Sequence, residues 1–160
     1  MAAGVRPLTS PPYNSGSLGK LENYDLLYFR LHGFPKRPGI WFGEIPGLGL
    51  IPALEAHNVE GADLTDAVIV IANCYSATDS LVSLFYRAGA QAVIAGEGPN
   101  VAASNRLVGA DLLVKWLILG WPLGIERALQ LARMRLALTS WRESDRDARA
   151  FRIIDKMEVT

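Results

Sequence analysis

The chain is poor in several things that would narrow its chemistry at once. Its 160 residues include a single cysteine and two histidines. One thiol excludes an internal disulfide framework and any cysteine-rich zinc site; it fits a reducing compartment, so a cytoplasmic location is expected. Excess charge of either sign is absent, because 16 Lys and Arg balance 16 Asp and Glu. That balance removes the broad basic field on which non-specific nucleic-acid binding depends. A long hydrophobic run is missing too. The most lipid-like stretch, Leu112 to Ile125, is interrupted by Lys115 and carries Pro122; its unbroken part, Trp116 to Ile125, is ten residues long. About 20 are needed to span a bilayer, so the stretch reads as a buried helix and no membrane contact is expected. Met1 to Ser17 contains no apolar segment of signal-peptide length.

What is present describes a folded domain. Half of the residues are hydrophobic and a fifth are charged, which excludes global disorder. The length suits one domain that buries roughly two-thirds of its unfolded surface. Three of the nine prolines fall within residues 1–23, so that segment reads as a flexible leader and residues 24–160 as the domain. Leu26-Leu27-Tyr28-Phe29-Arg30-Leu31 is a short apolar run rich in β-forming aromatics, closed by His32-Gly33. Phe34 to Leu50 holds three prolines and four glycines around Ile40-Trp41-Phe42, a composition for a long loop carrying one short strand pair. Ile51 to Ala56 reads as a helical turn. Ala67 to Ala72 is apolar at every position, the mark of a parallel central strand buried on both faces, and it ends at Asn73-Cys74. A helix is predicted from Asp79, with Leu81, Leu84, Phe85 and Ala88 as its apolar stripe and Gly89 at its end. Gln91 to Ala95 is another short apolar strand. Helices over Asn105–Leu119 and Pro122–Leu138 and a final strand over Phe151–Ile154 complete the reading.

This order is that of an open, mostly parallel α/β sheet, in which the functional crevice lies beyond the carboxyl ends of the strands. Two reactive side chains fall at such ends, His32 after one strand and Cys74 after another. A thiol attacks only as thiolate, and a neighbouring imidazole can take its proton. Two parallel strands adjacent in the sheet would hold these residues within reach of each other. Gly33 permits a sharp turn that aims a backbone N–H into the crevice, and the N–H of Cys74 at a strand-to-helix turn can do the same, which supplies two donors for an oxyanion. The plain structural reading competes: a lone Cys after an apolar strand is usually a small buried hydrophobe, and His-Gly is usually a turn. His57 is a rival base, but Glu55-Ala56-His57-Asn58 reads as a solvated loop. Gly96-Glu97-Gly98-Pro99-Asn100 has the wrong spacing for a dinucleotide or P-loop fingerprint, and no Gly-Lys-Ser/Thr occurs. No cofactor and no metal are expected.

Tyr28-Phe29-Arg30-Leu31-His32-Gly33 and Val68-Ile69-Val70-Ile71-Ala72-Asn73-Cys74-Tyr75-Ser76-Ala77 resemble the His-Gly and Ala-Cys blocks of caspase-like cysteine peptidases. The CHAT group is the closest form, with gingipains, separases and caspases more distant. Arg87 to Gly96 is similar to the strand after the nucleophile's helix in that group, and Gly120-Trp121-Pro122-Leu123 leading into Ala128 to Arg133 is similar to its terminal helix. The resemblance implies a three-layer α/β sandwich with a mostly parallel central sheet. It also implies a Cys/His dyad with Cys74 as nucleophile, His32 as general base and the backbone N–H groups of Gly33 and Cys74 as oxyanion hole. The implied substrate is a protein or peptide entering as an extended strand beside the sheet.

The chain also departs from this family. Such domains carry two strands and two helices ahead of the His-Gly strand, and here only 23 leader-like residues precede it. The chain therefore reads as a fragment of a larger protein, a reduced form whose sheet a second copy or a partner completes, or a catalytically inactive interaction module. An open edge along Leu26 to Phe29 and an exposed apolar helix face along Leu81, Leu84 and Phe85 or along Leu112 to Leu119 are expected to follow, with self-association. For substrate contacts, relatives that cleave after basic residues carry an acidic side chain where this chain has Ala72. Glu97 is the remaining acidic candidate, with Asn73 beside the nucleophile and Trp41 as a wall.

Overall fold

The computed structural model describes residues 21–22, 24–99, 124–139 and 151–159. In chain order its elements are β1 (Leu26–Phe29), β2 (Ile40–Ile45), β3 (Gly49–Glu55), α1 (Ala56–Val59), β4 (Val68–Ile71), a 3-10 turn (Ser76–Thr78), α2 (Ser80–Arg87), β5 (Ala92–Gly96), α3 (Gly124–Thr139), β6 (Phe151–Ile153) and a second 3-10 turn (Lys156–Glu158). The sequence Val-Ile-Val-Ile of β4 is β-branched throughout and buried at all four positions, as a strand covered on both faces must be. It lies inside a four-stranded sheet of order β1-β4-β5-β6. β1 and β5 flank it in parallel, with Phe29 opposite Ile71 and Ile71 opposite Ala95, while β6 runs antiparallel to β5.

Alternation along the strands sends side chains to two separate cores. One face carries Leu27, Phe29, Ile69, Ile71, Val93 and Ala95, and packs under α2, α1 and the β2–β3 hairpin. The other carries Val68, Val70, Ala72, Ile94 and Phe151, and packs under Ala128, Leu129 and Ala132 of α3. The result is a mixed α/β arrangement with layers on both sides of a mostly parallel sheet. No helix among the described residues is long and apolar enough to cross a membrane.

α2 starts where its sequence says it should. Asp79 is the N-cap, its carboxylate accepting from the Leu81 N–H at 2.9 Å, and the stripe buries Leu81, Val82, Phe85 and Tyr86. Gly89 follows with φ +104°, a conformation that disfavours a side chain.

Several expectations are corrected here. Ile51 to Ala56 is no helical turn: residues up to Glu55 belong to β3, which pairs antiparallel with β2, and the helical turn starts at Ala56. Leu21, assigned by sequence to the leader, is fully buried in the core. Leu81 and Phe85 are also fully buried, because the hairpin brings Trp41 and Leu54 over α2; they do not form an exposed face. The predicted helix over Asn105–Leu119 and the Leu112 to Leu119 stripe lie outside the described residues.

Candidate active site

β1 and β4 are parallel neighbours in register, so their carboxyl ends point the same way from adjacent positions. Leu31-His32-Gly33 leaves one end and Asn73-Cys74-Tyr75 leaves the other. Two observations join these segments. Asn73 is fully buried, and its Oδ1 accepts the Leu31 N–H at 2.6 Å across 42 residues of sequence. Gly33 lies so close to the Cys74 backbone that an ideal Cβ at position 33 would sit 2.3 Å from the Cys74 carbonyl oxygen and 3.5 Å from the Asn73 Cβ. No side chain fits there, which is the physical reason the His block ends in glycine.

His32 is fixed from its other side by β2. Its N–H donates to the Phe42 carbonyl at 2.8 Å and its carbonyl accepts from the Phe42 N–H at 2.9 Å. Both backbone groups of Phe42 thus face His32, and Pro52, opposite Phe42 on β3, has no N–H to supply. The imidazole stands half exposed, its Nε2 3.7 Å from Glu44 Oε2. Exposure of both partners makes this a weak contact.

Cys74 is half-buried and sits on a turn held at several points. Tyr75 has φ +55°, a left-handed conformation uncommon for a bulky residue, and its N–H donates to the Gly98 carbonyl at 2.8 Å. Ser76 is fully buried, and its hydroxyl accepts from the Gly96 N–H at 3.1 Å. Asp79 Oδ1 accepts from the Gly39 N–H at 3.1 Å as well as from Leu81, which ties the segment leading into β2 to the head of α2. Beside His32 a shallow groove of about 380 Å³ is lined by Phe34, Lys36, Arg37, Phe42 and Leu50, with the Arg37 guanidinium 5.7 Å from the Phe42 ring centroid.

The other sequence candidates fall elsewhere. Trp41 is fully buried, 5.5 Å from Phe29 and 5.8 Å from Phe85 between ring centroids, so it is a core residue and presents no wall to a substrate. Asn73 is equally inaccessible and touches the Leu31 backbone instead of the crevice. The Glu97 carboxylate takes the Arg152 Nε at 2.6 Å, so its charge is matched within the chain. Arg152 also makes paired bonds of 2.9 and 2.7 Å to Glu158, which hold the Glu158 carboxyl below its usual range. His57 is exposed on α1, 3.4 Å from Glu55.

Sequence reasoning missed Ser76, Glu44 and the double duty of Asp79. Only Asp79 carried a signal, as a capping residue ahead of an apolar stripe. Compared with known proteins, the chain matches no family model, no curated protein and no solved structure.

Proposed function

We propose that this chain hydrolyses peptide bonds through Cys74 and His32 on a caspase-like α/β scaffold. The observation that carries the reading is the seam between Gly33 and the Cys74 carbonyl, which sets the His-bearing and Cys-bearing strand ends side by side at the carboxyl edge of a parallel sheet. The left-handed Tyr75 next to the thiol supports it, because non-glycine residues held in such conformations collect at functional turns. In this reading the Cys74 sulfur bonds to the substrate carbonyl carbon while the C=O electron pair moves onto oxygen, held by the N–H groups of Gly33 and Cys74. His32 takes the thiol proton and returns it to the departing amine as the C–N bond breaks. Water, deprotonated by His32, then attacks the thioester and frees the acid and the thiol.

The test is iodoacetamide modification of Cys74 against pH in the intact protein and in His32→Ala, with cleavage of a fluorogenic peptide library alongside. His32→Ala should slow modification near neutral pH by about tenfold, the order expected of an assisting imidazole, and Cys74→Ala should abolish cleavage. Identical modification profiles in the two proteins, with no cleavage, would instead mean a catalytically inactive interaction module.

A further inference from the structure

Asn73 occupies an unusual place in the sheet. The β1–β4 ladder carries a strand-to-strand bond from the Ala72 N–H to the Phe29 carbonyl, 2.8 Å. A parallel ladder continued by one step would send the Leu31 N–H to the Ala72 carbonyl. It goes instead to Asn73 Oδ1, at 2.6 Å. A side chain has replaced a strand as acceptor, and residues 73–75 leave the sheet toward the Gly98 carbonyl, which accepts from the Tyr75 N–H. The bond joins the residue before His32 to the residue before Cys74, and an ideal Cβ on Gly33 would lie 3.5 Å from the Asn73 Cβ. The carboxamide is fully buried, so water cannot take over its role.

We infer that Asn73 is a positioning residue whose buried carboxamide, held on the Leu31 N–H, fixes the separation of the His32 imidazole and the Cys74 thiol. The inference rests on the dyad reading above, and it does not make Asn73 a catalytic residue, since it touches no reacting atom. A neutral acceptor is the suitable one. A hydrocarbon side chain would strand the Leu31 N–H, and a carboxylate would put a buried negative charge beside the thiolate and oppose its formation.

The experiment is a double-mutant cycle on the full chain, read by the pH dependence of Cys74 alkylation, with Asn73→Ala, His32→Ala and the double variant. Glu44 on β2, Asp79 at the head of α2 and Glu97 beyond β5 are the acidic groups on the surrounding elements. They are common to all variants, so their influence cancels. Asn73→Ala should slow alkylation near neutral pH by several-fold, and the double variant should be no slower than His32→Ala alone. A merely structural asparagine would lower the unfolding midpoint, leave the alkylation profile of the folded fraction unchanged, and overturn the inference. Equal and additive losses would overturn it as well. If His32→Ala itself has no effect, it is the dyad that fails.

Asn73→Asp covers the case in which Asn73→Ala does not fold, because it keeps the acceptor. It should preserve hydrogen-exchange protection of the Leu31 amide while slowing alkylation relative to the intact protein. With the acceptor kept, His32→Ala should still slow alkylation further in that variant; loss of the His32 effect while the Leu31 amide stays protected counts against the positioning role.

Discussion

At residue 33 the whole His block depends on the absence of a Cβ. A methyl group there meets a backbone carbonyl, which is the least yielding kind of neighbour, and 2.3 Å is far inside contact distance. Relief requires the strand ends to separate, so overpacking of this sort costs about 1–3 kcal/mol or more. Gly33→Ala should therefore reduce the unfolding free energy by that amount, seen as a lower urea midpoint, and, in the dyad reading, make Cys74 alkylation insensitive to His32. A variant as stable as the parent would show that the two segments are not held in contact. The same scale explains why Asn73 was misread. A polar residue next to a candidate nucleophile looks like a substrate contact, and nothing local in the chain reveals that a backbone N–H 42 positions away needs an acceptor. The partner of Glu97 was hidden for a parallel reason: Arg152 is 55 positions away.

Among the elements, β4 and α2 were legible because each is specified by its own residues. A run of four β-branched side chains has one comfortable conformation when both faces are covered. Asp79 followed by an apolar stripe of helical period defines both the start and the buried side of α2. The hairpin was legible only in part: a short strand pair was expected around Ile40-Trp41-Phe42, but the strand that runs on to Glu55 was read as a helical turn. The glycines and prolines of Phe34 to Leu50 pointed to loop. Long-range pairing decides the outcome: Trp41 sits opposite Leu54 in a register that shifts next to Phe42, and His32 supplies the bonds that Pro52 does not. Once β2 and β3 form, they cover α2, which accounts for the burial of Leu81 and Phe85. β6 is tied differently. Arg152 grips Glu97 past β5 and Glu158 in the closing turn, and Arg133 of α3 donates to the Phe151 carbonyl. The Glu158 carboxyl is held down first by its hydrogen bond from Arg152. A depressed carboxyl stabilises the fold above its unfolded value, and that contribution disappears as pH falls through the folded value. Arg152→Met should thus be less stable than the parent above about pH 5, with the gap closing as acid protonates Glu158. Unfolding midpoints from pH 7 down to pH 2.5 would check it, and a gap independent of pH would mean that Arg152 acts through packing alone.

For the whole molecule the two sheet edges are unequal. β6 is three residues long and carries Arg152, a short and charged edge of the kind that resists pairing. β1 is Leu-Leu-Tyr-Phe, and among the described residues no strand lies outside it. The Asp25 and Phe29 carbonyls accept from β4, so by alternation the backbone groups of Leu26 and Tyr28 point to the outer side. Asp25 and Arg30 flank the strand, but no charge interrupts it. Among the described residues no strand takes up that outer side, and an edge of this composition is a template for another strand, from elsewhere in the chain, a second copy or a partner. The expected outcome at micromolar concentration in the ultracentrifuge is a species heavier than the monomer. Tyr28→Lys sets a charge in the middle of that edge, at a side chain already 36% exposed, and should return the chain to monomer without lowering its thermal midpoint by more than about 1 kcal/mol equivalent. If the parent chain is a heat-stable monomer at every concentration, β1 is covered from within the chain and the sheet needs no second molecule. If Tyr28→Lys associates as strongly as the parent, the contact lies elsewhere, with the exposed hairpin tip at Leu48 and Leu50 the next surface to charge.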